Sequence, residues 1–253
     1  MSSWGAILLG SVLMSLVALV GCFTLVLPAW RLQQLLTPLV SLAAGSLLGG
    51  ALFHMLPEGF GALPPLQSGV WIAAGFTVFL AVEQFLHWHH SHRHRNHRLE
   101  GPVDQPSRQP MALLILLGDG LHNFIGGLGI ASTYLINPPA GLAAWLAAVA
   151  HEVPQELGDF GVLVHSGWRP RKALFWNLVS AITFPVGAVL AWWLRDLISL
   201  APLVLFAAGN FLYIAASDLV PEIKHQEGSA SAVNSFVCFG GGLLFMLLMA
   251  GVA

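Results

Sequence analysis

The chain of 253 residues is 56% hydrophobic and only 9% charged, with a mean hydropathy of +0.75, whereas a soluble domain carries about a quarter charged residues. That composition leaves no room for a separate soluble domain and makes lipid the solvent of the chain; a formal charge of −2 argues against nucleic acid as a partner. The two cysteines, Cys22 and Cys238, stand in separate apolar runs without a C-x-x-C spacing and say nothing firm about redox.

A hydrocarbon core of roughly 30 Å needs about 20 apolar residues per helix. Apolar runs read against breakers predict helices at 4–27, 36–56, 67–86, 111–135, 141–165, 171–194, 198–220 and 232–252. The first lacks the basic flank and short apolar segment of a cleavable signal and reads as a true span. Between the third and fourth lies the longest loop, 87–110, where HWHHSHRHRNHR reads as a polar linker rather than a folded unit. The fourth and fifth are joined by INPPA alone. The expected fold is an all-α membrane protein of eight transmembrane helices in one domain over 1–253.

Nine of the ten Lys and Arg residues (Arg31, Arg93, Arg95, Arg98, Arg108, Arg169, Arg171, Lys172 and Lys224) fall in loops after odd-numbered helices, and only Arg195 follows an even one. The positive-inside bias then makes the odd loops cytoplasmic and puts both termini outside. The formal charge and short loops fit a bacterial inner membrane. His87, His89, His90, His92, His94 and His97 fall on the cytoplasmic side, either to collect metal through neutral imidazoles or as a solvated polar run.

Residues 43–58, AAGSLLGGALFHMLPE, align without gaps on 207–222, AAGNFLYIAASDLVPE, at an offset of 164. The shared Pro-Glu ending, Pro57-Glu58 and Pro221-Glu222, is not a product of hydrophobicity. Under the orientation above the two copies are inverted, the symmetry many secondary transporters use around a midplane site. It places His54 and Glu58 toward the outer face and Asp218 and Glu222 toward the inner one, as pathway residues.

Ionisable groups inside a span cost a few kcal/mol each, so those that remain usually line a pathway or a site. In GDGLHNFIGG, Asp119, His122, Asn123 and Gly126 stand at i, i+3, i+4 and i+7, one face of helix 4. In HEVPQELGDF on helix 5, Glu152, Gln155, Glu156 and Asp159 repeat the spacing, with His151 one turn before Gln155. Imidazole, carboxylate and amide together suit borderline divalent ions. Zinc leads, with iron, manganese, cobalt, nickel and cadmium open. Asp119 either accepts the other N–H of His122 from beside the site or is itself a ligand at the mouth, and a place beside the site or in the pathway is the reading favoured. Pro154 predicts a bend in helix 5. Glu83 is either a proton or metal relay or a snorkelling end-of-span carboxylate, and Asn177 either faces the site or ties two helices together.

These motifs resemble the ZIP (Zrt/Irt-like) family of metal transporters: AAGSLLGGALFHMLPE, the His-rich loop, LHNFIGG, HEVPQELGDF and AAGNFLYIAASDLVPE all fall where that family's pattern has them. The resemblance implies an eight-helix fold, outer termini, frequent dimerisation and an elevator-like motion. It implies a main metal site of His122, His151, Glu152 and Gln155, with Asn123 and Glu156 close by, and a transported ion that is substrate rather than cofactor. One departure stands on helix 4: the family's H-N-F-x-D-G has an acid for a second metal where this chain has Gly126. One strongly held ion per protomer is therefore expected.

The competing reading is an intramembrane zinc hydrolase, since His151-Glu152 opens like H-E-x-x-H. Gln155 stands where the second histidine is required, which breaks the two-His face and argues against an enzyme. A non-transporting sensor or a passive pore is the further alternative.

Overall fold

The computed structural model describes residues 2–25, 29–96, 109–165, 167–224 and 229–251, and these are helical throughout apart from short turns. We number the helical rods α1 to α8. α1 is Ser3–Val17 with a 3-10 continuation, Ala18–Leu25; α2 is Ala29–Gly50, a π-helical turn Ala51–Met55, and Leu56–Ala62. α3 is Pro65–Asn96, α4 Gln109–Ile136 and α5 Pro138–His165. α6 joins Pro170–Ala181 to Thr183–Leu194; α7 runs Ala201–Tyr213, a π-helical turn Ile214–Leu219, and Val220–Lys224; α8 is Ser229–Ala250.

Five segments, in α1, α2, α3, α6 and α8, are long and apolar enough to cross a membrane by length and composition. α7 offers a shorter apolar stretch, Ala201–Ser217, and α4 and α5 carry the polar stripes. The chain is an all-α membrane protein. One expected boundary moves: the loop predicted to open at 87 is helical in its first part, because α3 continues to Asn96. No Gly or Pro interrupts 87–96, and the first breaker pair is Gly101-Pro102. The side chains of His87, His89, His90, His92 and His94, and all of His97, lie outside the described structure.

The two repeats share a backbone irregularity as well as a sequence. Leu56 N–H bonds Ala51 O, and Val220 N–H bonds Ala215 O, the same i to i−5 step at the same offset. Each step comes one residue before the proline of the Pro-Glu ending. Proline has no N–H for the carbonyl four residues back, and a wider turn lets the hydrogen-bond ladder step past it.

The repeats also pack alike. α2 lies along α8, and α7 lies along α3. A Cβ on Gly45 of α2 would meet the Phe239 carbonyl oxygen at 2.0 Å, and one on its counterpart Gly209 of α7 would meet that of Ile72 at 2.1 Å. With no hydrophobic force between helices in lipid, such backbone contact is what small residues provide. The exchange of partners, α2 with α8 and α7 with α3, is the pattern a two-fold relation between α1–α3 and α6–α8 imposes. α4 lies along α6, α5 packs against α2, α4 and the 3-10 end of α1, and Ala143, Ala144, Ala147 and Ala148 of α5 are buried in the main core.

Candidate metal site between α4 and α5

A single residue, Asn137, separates α4 from α5, so the two are antiparallel neighbours whose polar stripes meet. His122 comes from α4; His151 and Glu152 come from α5. His122 Nε2 lies 3.1 Å from His151 Nε2 and 3.2 Å from Glu152 Oε1, and His151 Nε2 lies 3.5 Å from Glu152 Oε1. The three residues are only 6%, 3% and 3% exposed. Donors that bind one tetrahedral ion at about 2.05 Å stand roughly 3.3 Å apart, so the triad already has the spacing of a shared ion. Phe79 stacks edge-on to His122 at 5.7 Å and Phe211 to His151 at 5.9 Å; these aromatic walls carry no sequence signal separable from ordinary core.

The remaining stripe residues divide around the triad. Asn123 Nδ2 donates to Asp119 Oδ1 at 2.8 Å, and Gln155 Nε2 donates to the same oxygen at 3.4 Å. Asp119 therefore takes no bond from His122, contrary to the tuning role that the sequence suggests: the two side chains stand on adjoining turns, and the amides of Asn123 and Gln155 reach the carboxylate first. Glu156 accepts from Asn177 Nδ2 of α6, which also reaches Ala18 O at 3.5 Å. Asn177 thus ties three helices together. Asp119, Glu152 and Glu156 form a second close group, of carboxylates alone, that shares Glu152 with the triad.

A cavity of about 430 Å³ opens beside the triad. Asp119 and His122 of α4 and His151, Gln155 and Asp159 of α5 line it, together with Glu83 of α3 and Tyr213 of α7. His54 and Glu58 are elsewhere. His54, buried, donates through Nε2 to Met246 O at 2.9 Å, and Glu58 accepts from Asn137 Nδ2 at 2.6 Å. The side chains of Asp218 and Glu222 lie outside the described structure. At Gly126, a Cβ would lie 3.3 Å from Phe184 Cε2, so the place of the missing acid abuts the ring of α6.

Two comparisons bear on this arrangement. The model of the ZIP zinc transporter family matches residues 3–111 and 89–250. The chain is 31% identical to the zinc transporter ZIP13 of Pongo abelii over 285 residues, covering 97% of this chain and 82% of that protein. It is 29% identical to mouse zinc transporter ZIP13 over 316 residues (98% and 84%), and 29% identical to the metal cation symporter ZIP14 of Xenopus tropicalis over 279 residues (84% and 60%). The match spans both repeats and both site helices, and on it the chain belongs to the ZIP zinc transporter family.

Proposed function

We propose that this protein carries divalent transition-metal ions, zinc first, across a membrane, with the ion held by His122, His151 and Glu152. Family membership carries transport itself, and with it a role that is not enzymatic and an ion that is substrate rather than cofactor. The observation that carries the site is the convergence of two imidazole nitrogens and a carboxylate oxygen within 3.5 Å of one another, with both histidines on a cavity wall. Nitrogen donors favour zinc and its neighbours over magnesium or calcium.

One ion per protomer is the reading we favour. The second group offers oxygen only, one oxygen of Asp119 takes both neighbouring amides, and Glu156 is held by Asn177. Gln155 and Asn123 then bond Asp119 beside the site and are not ligands.

We read all eight rods as spans, with α2, α4, α6 and α8 running outward, as the Lys and Arg distribution supports. The cavity is bounded by the N-terminal halves of α2 and α4 and by the later parts of α3, α5 and α7, which under that orientation all lie on the cytoplasmic side. The conformation is then inward-open, the repeats are inverted, and alternating access moves α4 and α5 like an elevator against the scaffold. Uptake toward the cytoplasm, capture of metal by the histidines of 87–97, a homodimer and a bacterial inner membrane complete the proposal. Short loops and charge support that membrane, and the vertebrate relatives above do not bear on it.

Liposomes loaded with a zinc-sensitive dye test the function. Saturable flux, lost in a His122→Ala/His151→Ala variant that still folds, is the expected result; equal flux in that variant would move the site elsewhere.

A further inference from the structure

Asn210, in the middle of α7, is fully buried, and among the described residues neither its Oδ1 nor its Nδ2 has a hydrogen-bond partner. The other unpaired atoms near the cavity, Asp119 Oδ2, His151 Nδ1 and Asn177 Oδ1, belong to side chains that are bonded through another atom. Ala207, Ala208 and Phe211, close to Asn210 along the helix, are parts of the main apolar core, as is Ile125 of α4. A buried amide without a bond keeps the whole cost of leaving water, and a leucine of the same branching would not. Packing therefore does not account for the residue.

Its position does. Asn210 precedes Tyr213 and Ile214 by three and four residues, so it shares one face of α7 with both. Both line the cavity, and Tyr213 donates to Glu83 of α3. α4 runs antiparallel to this stretch. A Cβ on Gly129 would meet that of Ala207 at 2.1 Å, and seven residues farther along each helix His122 and Ile214 both line the cavity. Asn210 is then level with Ile125 and Gly126, one helical turn, or roughly 5 Å, past His122 and away from the cavity. Phe211, the next residue, packs edge-on to His151 at 5.9 Å. An unbonded amide thus stands in the dry core directly beyond the triad.

We propose that Asn210 lines the other half of the ion's route: it is sealed in this conformation, and it faces water and the passing cation when the protein opens to the opposite side. This rests on the transport reading above. A neutral amide enters an apolar core at far less cost than a carboxylate, and its oxygen is a fit neighbour for a hydrated divalent ion. The unbonded amide also raises the sealed conformation relative to the one in which it meets water. That keeps the two close in energy, as a carrier that must visit both requires.

Two measurements on the full chain test the assignment. In the first, Cys22 and Cys238 are replaced by serine, and an impermeant thiol reagent is applied to each face of the membrane in turn. Ile115→Cys, on the cavity lining, marks the cavity face, and Ala208→Cys, buried on another side of α7, sets the background. Asn210→Cys is expected to react from the face opposite Ile115→Cys, about 10-fold or more above that background. Reaction at the background rate, or from the cavity face alone, overturns the proposal. In the second, Asn210→Leu is compared with the parent. Its unfolding temperature is expected to equal or exceed the parent's, and its zinc affinity at the triad to stay within about 2-fold, while flux at saturating zinc falls about 5-fold or more and returns in part with Asn210→Ser. Flux equal to the parent's overturns the proposal, and so does a lowered unfolding temperature, which marks an amide that serves the fold. Should the parent itself give no flux, transport falls as a function, while the thiol rates still decide whether position 210 opens to water.

Discussion

Glu58, near the end of α2, accepts a 2.6 Å hydrogen bond from the side-chain amide of Asn137, the one residue between α4 and α5. The bond joins the first repeat to the turn carrying both site helices, at the end opposite the cavity. Asn137 also caps α5, its Oδ1 accepting from Ala140 N–H at 3.3 Å. A hydrogen bond between membrane helices contributes on average ~0.6 kcal/mol, enough to shift a near-balanced pair of conformers about 3-fold.

Glu58→Ala, which removes the acceptor, is accordingly expected to loosen closure on that side while leaving zinc affinity unchanged. With Cys22 and Cys238 replaced by serine, a thiol introduced by Ala143→Cys, in the buried early half of α5, should react faster with an external impermeant reagent when Glu58→Ala is present. An unchanged rate would show that the bond does not hold this side shut.

Removing either imidazole of the triad should cost more than removing an amide beside it. Partners that act through a ligand change metal affinity by roughly 10- to 100-fold, so His151→Ala is expected at 100-fold or beyond and Gln155→Ala near 10-fold. Zinc titration of the purified variants reads both. Equal losses would make Gln155 a direct ligand, as the family resemblance implies.

Restoring the acid of the family pattern is not expected to create a second ion site. Gly126→Asp brings a Cβ to 3.3 Å from the Phe184 ring, and overpacking of this kind typically costs ~1–3 kcal/mol. Thermal unfolding should fall for Gly126→Asp and recover in part with Phe184→Leu. Two zinc ions per protomer in Gly126→Asp would contradict the one-ion reading.

The matched glycines of the repeats should be equally intolerant. Gly45→Ala and Gly209→Ala each drive a Cβ to about 2 Å from a backbone carbonyl, a contact that no rotamer relieves. Both are expected to lower the unfolding temperature of the solubilised protein strongly. Gly69→Ala, with open space around its Cβ, is the control and should be neutral or stabilising. A difference between the first two comparable to their separation from the control would argue against equivalent roles.

Much of this was legible in the sequence because periodicity reports a helix face directly. Asp119, His122 and Asn123 at i, i+3 and i+4 had to share one side of α4, and Glu152, Gln155 and Glu156 one side of α5. The repeat was visible as well, since the Pro-Glu endings mark the same backbone step in both copies. Less legible was the extent of α3, where a run of polar histidines looks like a linker but contains no residue that ends a helix.

Composition and spacing by themselves determined the solvent of the chain, its all-α class and the two helices that meet at the site. Only the tertiary structure decided which donors converge. His122, His151 and Glu152 close on one point, while Asp119 turns to Asn123, Glu156 to Asn177, Glu58 to Asn137 and Glu83 to Tyr213. Spacing along a helix fixes the direction of a side chain relative to its own axis. Which partner it finds depends on how neighbouring helices are rotated and how closely glycine lets them approach, and those quantities exist only once the chain has packed.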